Sequence, residues 1–347
     1  MREPTHSGGA DALRNGSCKY RLASRLTLLS FLTFTSVLRA QNSIPVVFDS
    51  NMGDGIDQEF ALALALQSPE LNVRVVTVVG DDTENRMRLA WKVLGLYGRR
   101  DIALGRGASE SLLGSAPGRS LELGLLTPQD LLPPGSNRDA ISLIVDTVLY
   151  SPGPVTLIAT GPLTNIALAI KVDPRIKQNI ARIVVTAGAF DPPRAEYNIQ
   201  RDQIAAEIVF SSGVPITVVS RDVSGGCMLG ASEIDRLRGA RNPASQFLVQ
   251  LIELAQKGQK NEFPILHDPL AVAVSFQPVL INAQPGNISV DTTDPHTSGK
   301  ARFLPATELS KTQPPKTALA SQADCRRFLD LLIERLAAPP RSGGPAR

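Results

Sequence analysis

From Pro45 onward the chain alternates short apolar runs of strand length with longer stretches of helical period. Pro45 to Phe48 is one such run, and Gln58 onward is an alanine- and leucine-rich segment long enough for a buried helix. The alternation recurs in LNVRVVTVVG from Leu71, GPVTLIATG from Gly153, IARIVVTAG from Ile180 and VPITVVSRD from Val214. It predicts an α/β fold, an open, mainly parallel sheet with helices on both faces. Each run ends in Gly, Thr or Asp, where the ligand crevice of an open α/β sheet lies. Gly105 to Asn137 breaks the pattern, being rich in Gly, Pro and Ser without helical period, and predicts a long loop near the mouth of that crevice. Asp291 to Pro315 turns polar and predicts a small strand excursion before a closing helix, DCRRFLDLLIERLAA.

The ends of the chain differ from its middle. Lys19, Arg21 and Arg25 precede the apolar LTLLSFLTFTSVL, and Leu38 to Ala40 ends on a small residue. Residues 1–40 therefore predict a signal peptide cleaved after Ala40, and a secreted or periplasmic protein. The apolar core is short for a bilayer span and the polar QNS follows it, so no stable membrane anchor is expected. Residues 41–338 are expected to form one domain, and residues 339–347, PPRSGGPAR, a disordered tail. Six of the 36 basic residues and two of the 33 acidic ones lie in the leader, which leaves 30 basic against 31 acidic. With only 5% aromatics, that balance excludes a nucleic-acid-binding surface. Cys227 and Cys325 could pair in an oxidising compartment, but their separation in sequence leaves the distance between them open.

Candidate chemistry lies at the ends of the runs. VVFDSNMGDGIDQEF packs three aspartates, two glycines and an asparagine into the strand-to-helix turn. Taken alone, Asp and Gly are ordinary turn and cap residues. Three later stretches add to them: LIATGPLTNIALAI carries Thr160 and Gly161, TAGAFDPPRAEYNIQRD carries Glu196 and Asn198, and FPILHDPLAVAV carries His267 and Asp268. A histidine followed by Asp-Pro can simply open a helix; in company with the other three stretches it becomes a site candidate.

In this order the four blocks resemble the inosine/uridine-preferring nucleoside hydrolases, calcium-dependent enzymes that cleave a ribonucleoside into ribose and free base. The resemblance spans nearly all of the chain after the leader and implies a nucleoside or other ribose-containing ligand, and a homodimer or homotetramer. It gives Asp49 a supporting role at the metal and Asp57 a grip on ribose hydroxyls. It gives Thr160 a metal-binding carbonyl, Glu196 and Asn198 the sugar, His267 the leaving base, and Asp268 the metal. The chain departs from the family's pattern at four places. Asn51 stands where the family has the calcium-binding acid that activates water, and Gln58 where it has a further calcium ligand. Asp81 replaces a substrate-side asparagine, and FDPPR offers no match for another. Asparagine can coordinate calcium but cannot accept a proton. Two expectations follow: an exported N-ribohydrolase in which Asp54 or Asp81 compensates, or a weak or inactive relative that binds nucleosides or sugars.

Overall fold

The computed structural model describes residues 43–341, apart from 113, 115–119, 121, 259–262, 294–298 and 313. The expected signal peptide lies outside the described residues, as does the tail beyond Arg341. Among the described residues the strands are β1 (Ile44–Ser50), β2 (Leu71–Val78), β3 (Ala103–Arg106), β4 (Arg138–Asp139), β5 (Val155–Ala159), β6 (Ile180–Thr186), β7 (Ile216–Val219), β8 (Ile281–Val290), β9 (Ala301–Pro305) and β10 (Thr317–Ala323). They form one sheet in the order β4-β3-β2-β1-β5-β6-β7-β10-β8-β9. Pairing is parallel from β4 across to β10, and β8 runs antiparallel to both β10 and β9.

β1 lies between β2 and β5, so the chain winds outward on one side of it and then returns to build the other. That reversal is the topological switch point, beyond whose strand ends ligands of open α/β sheets bind. In β1, Val46 and Phe48 enter the core on one face of the sheet and Val47 enters the core on the other. Both faces are covered, which is why this strand reads as continuously apolar. Behind it, helix Ile56–Gln67 is buried almost throughout and packs on helix His267–Phe276, itself largely buried. This contact brings two of the four sequence blocks together.

Two boundaries differ from expectation. The first helix begins at Ile56, two residues before Gln58, because Gly55 takes the cap position and no side chain is needed there. Asp57 and Glu59 consequently fall in its first turn. At the other end, Gln67 accepts from the Arg341 N–H at 2.9 Å and donates to the Pro339 carbonyl at 3.2 Å, so the held chain extends past the expected start of the tail. The expected strand excursion is β9, and the described residues of the long loop from Gly105 include a short 3-10 turn at Glu122–Leu125.

Candidate active site

Asp49 is the penultimate residue of β1, level with Thr77 on β2 and Ala159 on β5. Its Oδ1 accepts from the Thr77 hydroxyl at 2.5 Å and the Asn165 amide at 2.7 Å, while its buried Oδ2 has no partner among the described residues. Burial pushes this carboxyl up to about 6, against the pull of those two hydrogen bonds. Asn51 is also buried; its Nδ2 donates to Asp54 at 2.9 Å and its Oδ1 is unpartnered. Gly161 permits this packing, since a Cβ there would stand 2.9 Å from Asn51 Oδ1 and 2.8 Å from Asn51 N. Gln58 Oε1 and Asp268 Oδ2 are likewise buried and unpartnered. Asp268 is raised well above the ordinary carboxylate range by burial and by the facing charge of Asp57. Burial raises Asp57 too, although the backbone N–H groups of Asp268 and His267 and the charge of Arg221 oppose the shift.

The end of β1, the turn after it and the packed pair of helices thus present Asp49, Asn51, Asp57, Gln58, His267 and Asp268 on the same side of the sheet. Thr160 joins through its neighbours: its N–H donates to the Asp49 carbonyl at 2.9 Å, and its own carbonyl receives Asn198 Nδ2 at 3.4 Å. All of these metal-side donors are oxygens, the type a hard cation takes. Among the described residues no group of three or more His, Cys, Asp or Glu side chains is arranged to hold a metal, as follows where amides stand at Asn51 and Gln58.

The expected sugar-binding side chains are engaged with the backbone. Glu196 caps helix Tyr197–Arg201, its carboxylate accepting from the N–H groups of Gly188, Asn198 and Ile199. Asn198 spends its amide on the Thr186 carbonyl at 2.9 Å. Both brace the crevice wall, and the Glu196 carboxylate keeps little accepting capacity for a ribose hydroxyl. Asp81 pairs with Arg86 at 3.0 Å and Arg201 at 3.5 Å. His267 Nδ1 lies 2.5 Å from Ser224 Oγ, and burial, aided by the Arg221 charge, pushes its ring down to about 4.

Several site residues went unassigned in the sequence. Arg86 is fully buried and reaches the carbonyls of Asn51, Met52 and Asp81, the carboxylates of Asp54 and Asp81, and the Ser120 hydroxyl. Asp54 also receives Ser120, Tyr197 and Asn51, so it is the acid that adjoins the asparagine of the turn. Ser120 and Glu122 come from the long loop, and the Ser120 hydroxyl donates to Asp54; burial pushes Glu122 up to about 7. Glu59 Oε1 accepts from the Gly53 N–H at 3.0 Å, and burial and Glu122 raise it well above its ordinary value. Asn165 belongs to LIATGPLTNIALAI and Glu59 to VVFDSNMGDGIDQEF, so both lay within stretches already marked as candidates.

The profile described as inosine-uridine preferring nucleoside hydrolase matches residues 46–330. The chain belongs to this family. Nucleoside hydrolases are enzymes acting on glycosidic bonds, and solved members of the family share this fold. The chain is 34% identical over 312 residues to the pyrimidine-specific ribonucleoside hydrolase RihA of Citrobacter koseri, covering 85% of this chain and 98% of that one. The RihA of Salmonella typhimurium is 33% identical over 311 residues, with the same 85% and 98% coverage. Among solved nucleoside hydrolases, the plant enzyme PpNRh1 superposes with a TM-score of 0.74 at 26% identity, covering 85% of this chain and 99% of its own. A purine-preferring ribonucleoside hydrolase from Gardnerella vaginalis gives 0.74 at 28%, covering 84% and 98%.

Proposed function

We propose that this chain is an exported N-ribohydrolase that cleaves ribonucleosides to ribose and free base. The observation that carries the reading is the set of buried, unpartnered oxygens on Asp49, Asn51, Gln58 and Asp268, next to the half-buried Asp57. Buried polar atoms normally have partners, so a group of them without any points to a ligand. The relatives named above are all hydrolases, which favours this reading over the binding-protein alternative that the amides at Asn51 and Gln58 suggest.

N-glycosidic cleavage passes through an oxocarbenium-like sugar, with water arriving on one face and the base leaving on the other. Asp57 is the carboxylate available to ribose hydroxyls, with Glu196 and Asn198 fixing the wall beside it. The proton of the attacking water needs a carboxylate acceptor, which Asn51 cannot be. Asp49 and Asp268 each keep one unpartnered oxygen and take that role in this reading. Asp54 instead holds the Asn51 amide and is itself neutralised by Arg86. Calcium suits the donors, with Asp49, Asn51, Gln58, the Thr160 carbonyl and Asp268 as its holders; when bound it orients and acidifies a water. Two amides in place of acids weaken that binding.

Export rests on the leader and is supported by a disulfide between Cys227 and Cys325, whose Cα atoms lie 4.8 Å apart, since such bonds persist in oxidising compartments. Among the described residues no helix is long and apolar enough to cross a membrane. A native protein whose intact mass retained residues 1–40 would rule out the cleaved leader. The activity is tested by release of ribose and base from ribonucleosides. Asp268→Asn should lower kcat/KM by on the order of 10²- to 10⁴-fold, the usual worth of a general base. Absence of turnover in the unaltered protein, with or without calcium, would end the reading.

A further inference from the structure

The side-chain amide of Asn51 has two chemically different ends, and the end that faces the crevice decides whether a cation meets an oxygen or an NH2 group that repels it. In this chain Asp54 makes the choice. Asp54 Oδ1 accepts from Arg86 Nη2 at 2.7 Å and from the Ser120 hydroxyl at 2.8 Å, and Oδ2 accepts from the Tyr197 hydroxyl and from Asn51 Nδ2, both at 2.9 Å. A carboxylate only accepts, and these four donors fill the roughly four lone-pair sites it has. The end of Asn51 turned toward Asp54 is therefore the NH2 end, and Oδ1 is turned away. That oxygen lies against Gly161, the residue after Thr160, and is buried without a partner among the described residues.

Arg86 holds the acid in that place. It comes from helix Thr83–Leu96 and is fully buried, with Asp54 nearly so. Its Nη1 donates to the carbonyls of Asn51 and Met52, both at 2.8 Å, while Nη2 holds Asp54. One guanidinium thus grips both the backbone of residue 51 and the acid that orients its side chain, which a planar fork can do and a single ammonium cannot. A buried ion pair adds little net stability over an apolar pair of similar volume, so stability alone does not account for this arrangement. An amide held with its oxygen toward the crevice does account for it.

We propose that Asp54 and Arg86 are positioning residues that lock the Asn51 amide, so that its oxygen and not its NH2 group is presented to a hard divalent cation such as calcium. This rests on the set of metal-holding oxygens in the hydrolase reading. A carboxylate at position 51 needs no such lock, because both of its ends are oxygens. An amide does, and the pair supplies it.

The test is calcium calorimetry on the unaltered protein, Asp54→Asn, Asn51→Asp and the double variant. In Asp54→Asn the guanidinium still requires an oxygen, so the introduced amide turns its NH2 group toward Asn51, and Asn51 turns its own oxygen to meet it. Calcium affinity should fall by on the order of 10- to 100-fold, the usual cost of losing a partner that orients a metal ligand. In the Asn51→Asp background the same change at position 54 should cost less than about threefold, because a carboxylate has no wrong end. Equal losses in the two backgrounds would give Asp54 a charge or folding role instead and overturn the proposal, as would no loss in either, or no calcium binding by the unaltered protein. If Asp54→Asn does not fold, asparagine-labelled unaltered protein decides by NMR. The Asn51 side-chain carbonyl resonance, identified by its loss in Asn51→Ala, should shift on adding calcium while its NH2 protons stay slow to exchange; an unmoved carbonyl resonance overturns the proposal. Release of ribose and base, followed in parallel, separates the two readings. No turnover, with calcium affinity lost only in the Asn51 background, ends the hydrolase reading and leaves the lock; turnover with equal calcium losses removes the lock and leaves the hydrolase.

Discussion

A protein that buries acids without cations to pair them should be less stable at neutral pH than in mild acid. For an acid whose folded value is raised, the folded state holds the proton after the unfolded chain has lost it, so stability falls as pH rises between the two values. Asp49 is raised from 3.8 to about 6 and Glu122 from 4.5 to about 7. Moving from pH 7 to pH 5 therefore stabilises the fold by about 1.3 kcal/mol through Asp49 and about 2.1 through Glu122. His267 opposes them. Its folded value is depressed from 6.5 to about 4, so the unfolded chain takes up the proton first and acidification costs about 1.8 kcal/mol. The balance is a gain of about 1.6 kcal/mol, to which the raised Asp57, Glu59, Glu196 and Asp268 add with the same sign. In chelator, the urea midpoint should be higher at pH 5 than at pH 7 by roughly 0.5 M, taking an m-value of about 3 kcal/mol/M. Saturating calcium should reverse the order by favouring the ionised acids. A midpoint in chelator that is equal or lower at pH 5 would mean that these carboxyls are not buried without partners.

Two further perturbations act on separate parts of the molecule. Asn51→Asp with Gln58→Asp should tighten calcium binding by on the order of tenfold or more in calorimetry, while costing stability in chelator because residue 51 then faces Asp54 across 2.9 Å; unchanged affinity would show that these oxygens do not hold the ion. Cys325→Ser opens a disulfide that spans 98 residues and should destabilise the fold by roughly 4 kcal/mol on the chain-entropy account; a loss under about 1 kcal/mol by urea unfolding would show that the bond is not formed in the native protein.

Much of the framework was legible because it rests on local pattern. Strands buried on both faces read as apolar runs, and the acids at their ends mark the crevice. The turn itself was less legible: Gly55 in the cap position starts the helix early, and periodicity does not register a backbone cap. Residue roles that depend on distant partners were hidden. Asp81 reads as a ligand-facing acid until Arg86 and Arg201, from two different helices, occupy it. Glu196 reads as a sugar ligand until the chain folds back to present three N–H groups to it. Whether Asp54 or Asp81 adjoins Asn51 depends on how the long turn closes, and the fold puts Asp54 there. Ser224 gave no signal, since its meaning comes from a helix that begins at His267, over 40 residues away.

Hydrolysis at this site is tested most directly by a single turnover in ¹⁸O-labelled water, with enzyme in excess over uridine and calcium present. The sugar product should be ribose carrying one solvent oxygen at C1′, formed together with an equal amount of uracil, and Asp268→Asn should slow both products alike. Uridine recovered intact, or a sugar product without solvent oxygen, would contradict a hydrolase built on Asp49, Asp57 and Asp268.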